Sequence, residues 1–110
     1  MKITTNQNYI LITSDENSFS NFFNAFTSEK QDEVSNHKII QLSENLNTTV
    51  KDLSLFLNIA DSHRSNGMSF VIICNGIDID NIPDEINIVP TIVEAEDILE
   101  MDAIERDLGF

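Results

Sequence analysis

Apolar residues in this chain recur in two rhythms, short β-branched runs and helical stripes, and their alternation predicts the fold. Lys38-Ile39-Ile40-Gln41-Leu42 reads as a strand followed by a polar loop, Ser43-Glu44-Asn45. Thr49-Val50-Lys51-Asp52 has the spacing of a capping box, in which a threonine oxygen takes the amide three residues on while the acid there reaches back. A helix therefore starts near Thr49 and ends at Asn66-Gly67, where glycine can adopt the left-handed conformation that closes it. Met68 to Cys74 is a second apolar run and reads as a strand buried on both faces. A strand–helix–strand unit of this length implies parallel strands joined by a right-handed crossover. On the central helix Val50, Leu53, Leu57 and Ala60 share the face expected to cover the sheet. Leu55 and Ile59 fall well away from it, either under another element or in an exposed apolar patch for a partner.

The flanking segments extend the same alternation. Lys2 to Thr5 and Asn8 to Ser14 read as strands around the polar turn Asn6-Gln7-Asn8, the first as an edge strand. Asp15-Glu16-Asn17-Ser18 supplies N-cap chemistry for a helix expected to run to about Asp32. Its Phe19, Phe22, Phe23 and Phe26 form one stripe, read as core packing rather than a ligand pocket. Ile77 to Pro83 reads as a short helical or irregular link, Glu85 to Val89 as a strand, and Val93 to Glu100 as a helix with Ala95, Ile98 and Leu99 inward. Met101, Ile104 and Leu108 point roughly half a turn away from that face. The helix is thus expected to bend or end near Met101, or to bury this second apolar side against something else.

Charge changes the picture most. Six basic residues against nineteen acidic ones leave a net charge of −13 in 110 residues, with most of the acids beyond Ile77. Such a balance argues against binding nucleic acid through phosphate neutralisation, and against docking on anionic lipid. It fits solubility and steering, or an acidic face meeting a basic partner. No apolar run approaches the ~18 residues of a membrane span, and the N-terminus lacks a secretory stretch. With a single cysteine, Cys74, in a predicted buried strand, a cytoplasmic location is expected.

Candidate chemistry is sparse. The alternating acids Asp78 and Asp80 lack the order of a calcium-binding loop and read as a solvated link. His63 and Arg64 in the last turn of the central helix suit the helix C-terminus. The chain has three scattered glycines, Gly67, Gly76 and Gly109, and neither a nucleophile elbow nor a phosphate-binding glycine loop. No catalytic residue, metal ligand or cofactor is assigned, and a non-enzyme is expected.

The order of elements, with the segment from His37 to Asn75, resembles the STAS domain of anti-sigma factor antagonists. The likeness covers nearly the whole chain in layout, and Pro90 to Glu100 resembles the family's last strand and helix. It implies an α/β, STAS-like domain over residues 1–110 in the order β-β-α-β-α-β-(α)-β-α. The implied architecture is a mixed central sheet of about five strands with helices packed mainly on one face. The family carries an Asp-Ser-Ser-Gly motif at a helix N-terminus. Here Asn47, Thr48, Thr49 and Val50 stand at its positions, so threonines replace the serines and valine the glycine. By position, Thr49 matches the serine that a partner kinase phosphorylates in the family, with Thr48 beside it.

The tail from Glu100 to Phe110 also resembles that of small STAS-like bacterial proteins, some of which carry the label ribonuclease Z. That hydrolase chemistry needs a His-x-His-x-Asp-His cluster to hold two zinc ions, and this chain has only His37 and His63. The expectation is a non-catalytic regulatory domain binding a kinase or anti-sigma-like partner through Glu44, Asn47, Thr49, Leu55 and Ile59. The alternative is a structural companion subunit of an enzyme, docking through its acidic C-terminal segment, residues 101–110. Oligomeric state is not legible.

Overall fold

The computed structural model describes residues 1–109, so Phe110 at the end of the expected docking tail lies outside the described residues. Five strands, β1 Lys2–Thr5, β2 Ile10–Thr13, β3 Lys38–Gln41, β4 Phe70–Ile73 and β5 Asn87–Val89, form one sheet in sequence order. β1 pairs antiparallel with β2, and the pairs β2–β3, β3–β4 and β4–β5 are parallel. The mixed α/β sheet expected from the sequence is present. β1 is exposed along its whole length, as suits a short polar strand on an edge.

The helical segments are α1 Phe19–Ser28, α2 Val50–Leu53, a 3-10 turn Ser54–Phe56, α3 Leu57–Ser65 and α4 Ile92–Asp107. Ser18 caps α1, its side chain accepting from the Asn21 amide. This helix stops at Ser28, short of the expected Asp32. Lys30 takes a left-handed φ of 60°, and the amides of Lys30 and Gln31 bond back to the carbonyls of Thr27 and Phe26. The same closing pattern ends α3, where Gly67 at φ +74° bonds to Arg64 and Met68 to His63. Glycine announces the second stop in the sequence, and lysine hides the first.

Alternate residues of each parallel strand build two cores. Ile12, Ile40, Phe70 and Ile72 meet α1, α2 and α3 on one face, around Phe22, Phe26, Leu53 and Phe56. Tyr9, Ile39, Val71 and Ile73 meet Ala95 of α4 on the other. Phe56 is the hub of the first core, its ring 5.7, 5.3 and 5.6 Å from those of Phe19, Phe23 and Phe26, edge-on to each. The phenylalanine stripe is thus core packing.

The stripe on the central helical run differs from the expected one. Leu53, Phe56, Ala60 and His63 are buried, whereas Val50 and Leu57 are only partly so. At ~100° per residue Leu53, Phe56, Ala60 and His63 share an arc of about 80° to one side of Val50 and Leu57, and that arc is the one packed against the sheet and the phenylalanines of α1. On the far face, α4 runs unbroken past Met101 to Asp107, so it neither bends nor ends there.

Candidate functional site

The loop singled out by the sequence leaves the carboxyl end of β3. Leu42 continues the ladder through its amide to the Ile73 carbonyl, and the Ser43 amide donates to Ser14 Oγ at 2.8 Å. Ser43 Oγ in turn accepts from Asn45 and opens a 3-10 turn over Glu44–Leu46. Leu46 is buried and anchors the turn, and Asn47 follows at φ 49°, ψ 46°, a left-handed conformation that asparagine tolerates. A groove of 480 Å³ lies between this loop and the Cys74–Gly76 turn after β4, lined by Glu44, Asn47 and Thr48 on one side. It sits beyond the carboxyl ends of parallel strands, where open α/β sheets offer binding surfaces.

Thr49 then caps α2. Its Oγ1 accepts from the Asp52 amide at 3.1 Å, while Asp52 Oδ2 accepts from the Thr49 amide at 3.1 Å, completing the capping box. Thr49 is exposed. Thr48 Oγ1 is shut away from solvent without a hydrogen-bond partner, which leaves Thr49 as the more accessible of the two hydroxyl-bearing residues. Cys74 at the groove edge is half-buried, and burial pushes its thiol up, away from a reactive thiolate.

The remaining expected residues separate. Leu55 is 54% exposed on the outer side of the 3-10 turn. Ile59 packs partly buried against the first core, so the expected two-residue apolar patch reduces to Leu55. Glu44, Asn47 and Thr48 share the groove, and Thr49 and Leu55 lie on the segment that leaves it.

Two polar clusters at the opposite end of the sheet were not anticipated. His63 is fully buried rather than simply flanking a helix terminus, with Nδ1 bonded to the Ile59 carbonyl at 2.8 Å. Its Nε2 faces the Nζ of buried Lys38. Desolvation, and to a smaller degree the Lys38 charge, push His63 below the ordinary histidine range. The second cluster joins His37, Ser69 and Asp102. The Ser69 hydroxyl donates to Asp102 Oδ2 at 2.7 Å, while its amide donates to His37 Nδ1 at 2.8 Å. The hydroxyl is thus aimed at the carboxylate and not at the imidazole, which differs from the nucleophile–base contact of a catalytic triad. The helical spacing of His63 from Phe56 and Ala60 carried a signal of burial; the Ser69–Asp102 contact joins the start of β4 to α4 across a long stretch of sequence and had none.

Among the described residues, no group of three or more His, Cys, Asp or Glu is placed to hold a metal ion. No helix there is long and apolar enough to cross a membrane. No protein-family model matches the chain, and no curated protein matches it.

Proposed function

We propose that this protein is a STAS-like regulatory domain that binds a protein partner through the Glu44–Thr49 loop and the helical segment after it. The observation that carries the reading is the capped loop itself. It holds exposed Glu44, Asn47 and Thr49 in a defined geometry at the carboxyl end of the parallel sheet, beside a groove and ahead of exposed Leu55. Loops held rigid by a scaffold are where recognition residues concentrate. Phosphorylation of Thr49 by a partner kinase is the regulatory step. The added dianion would meet the Asp52 carboxylate already bonded to the Thr49 amide, loosening the cap and placing charge at the partner-facing loop.

The test is capture from the native extract by wild type and by Leu55→Asp, with mass spectrometry of Thr48 and Thr49. A kinase or anti-sigma-like regulator lost from the Leu55→Asp sample, and phosphate on Thr49, is the expected result. Equal capture by both proteins, with unmodified threonines, overturns the reading.

A second reading, an enzyme's companion subunit docked through the C-terminal segment, is favoured by one observation. The outer face of α4 exposes Met101, Ile104 and Leu108 at 55%, 58% and 66%.

A further inference from the structure

α4 is apolar on two opposite sides. Ala95, Ile98 and Leu99 turn to the sheet and join the second core. Val93, Met101, Ile104 and Leu108 are exposed, and at ~100° per residue they fall within an arc of about 80° on the other side. Exposed Asp97 falls in the middle of that arc and separates Val93 from the rest, so the unbroken patch is Met101, Ile104 and Leu108 over the last two turns, still more than the isolated apolar residues normal on a protein surface. By the same spacing Glu94 and Glu105 border it on one side and Glu100 and Asp107 on the other. Among the described residues none of these four carboxylates forms an ion pair; the pairs there involve Asp15, Glu16 and Asp61.

We propose that the outer face of α4 docks a basic amphipathic segment of another protein, an apolar stripe flanked by lysines or arginines. This rests on the second reading above and names its partner's chemistry. Apolar contact supplies a desolvated centre, and the bordering carboxylates select a positive rim and reject a negative one. A second copy of this chain would set the same acidic borders against each other, in a molecule of net charge −13. An anionic membrane surface is repelled for the same reason.

The test uses the full chain and synthetic helical peptides with one leucine stripe, bordered by lysine, glutamine or glutamate, with a scrambled lysine peptide as control. Binding is read by fluorescence anisotropy at low and high salt, with sedimentation of the protein alone. The lysine-bordered peptide is expected to bind, and the scrambled and glutamate peptides to bind at least about tenfold more weakly. Met101→Gln/Ile104→Gln/Leu108→Gln, all exposed positions, is expected to weaken it about tenfold or more with an unchanged melting temperature. Glu94→Gln/Glu100→Gln/Glu105→Gln is expected to weaken it and flatten its salt dependence.

Equal binding of the glutamine-bordered peptide, still lost in the apolar variant, overturns the basic chemistry while leaving the second reading standing. Absence of binding, or binding indifferent to the apolar variant, overturns both. A dimer that the apolar variant abolishes puts a second copy on this face and overturns the proposal.

Discussion

Lys38 and His63, twenty-five positions apart, meet in the interior with Lys38 Nζ 3.4 Å from His63 Nε2. The imidazole donates through Nδ1 to the Ile59 carbonyl, which leaves Nε2 as the acceptor. The other two ammonium protons go to the carbonyls of Gln31, at 2.7 Å, and Glu33. All three donors of a buried lysine are therefore matched, and one side chain pins the loop after α1 to β3 and α3. Burial still pulls the Lys38 ammonium below the ordinary lysine range, with Asp32 and Glu33 acting against that pull.

Lys38→Met keeps the stem and removes the donors, leaving two carbonyls and Nε2 unpaired. Loss of about 1–3 kcal/mol is expected, read as a lower urea midpoint at unchanged slope. Wild-type stability in this variant would mean that the carbonyls find other partners.

His63 makes stability depend on pH. Its pKa is depressed in the fold below the 6.5 of an ordinary histidine, chiefly by burial, so the unfolded chain takes up the proton first. The contribution of neutral His63 is complete above pH 6.5 and is lost as pH falls below that value toward the folded pKa. Unfolding midpoints measured between neutral and mildly acidic pH are expected to fall more steeply for wild type than for His63→Gln. Parallel slopes would remove His63 as the cause.

Thr49→Ala removes the side-chain half of the capping box and is expected to cost about 1 kcal/mol. Thr49→Asp can still accept the Asp52 amide but sets its charge beside the Asp52 carboxylate, so its melting temperature should fall no further than that of Thr49→Ala. Partner binding lost in Thr49→Asp but kept in Thr49→Ser would then report charge rather than misfolding.

The phase of the central helical run is tested by three neighbours. Phe56→Ala, at the aromatic hub, is expected to cost about 3–5 kcal/mol, and Leu57→Ala clearly less. Leu55→Asp should change stability by no more than about 0.5 kcal/mol, because that side chain lies outside the core. A larger loss for Leu57→Ala than for Phe56→Ala would restore the expected stripe through Val50, Leu53, Leu57 and Ala60.

What the chain determined by itself is local. β-branched runs, the Thr49–Asp52 spacing and Gly67 specify strands, a helix start and a helix stop through conformational preferences that neighbouring residues alone impose. Those signals sufficed for the separate strands, the parallel unit around the central helix and the Thr49–Asp52 cap, while the five-stranded mixed sheet followed from the resemblance in the order of elements. The tertiary structure decided the rest. Packing against the phenylalanines of α1 chose which arc of the central helical run is buried, the one through Leu53, Phe56, Ala60 and His63, with Ile59 partly covered and Leu55 left out. The fold also brought Lys38 to His63 and Ser69 to Asp102, contacts between residues too distant in sequence for any local preference to encode. Finally, it laid α4 alone across the second face of the sheet, where one apolar side is buried and the other has no covering element among the described residues.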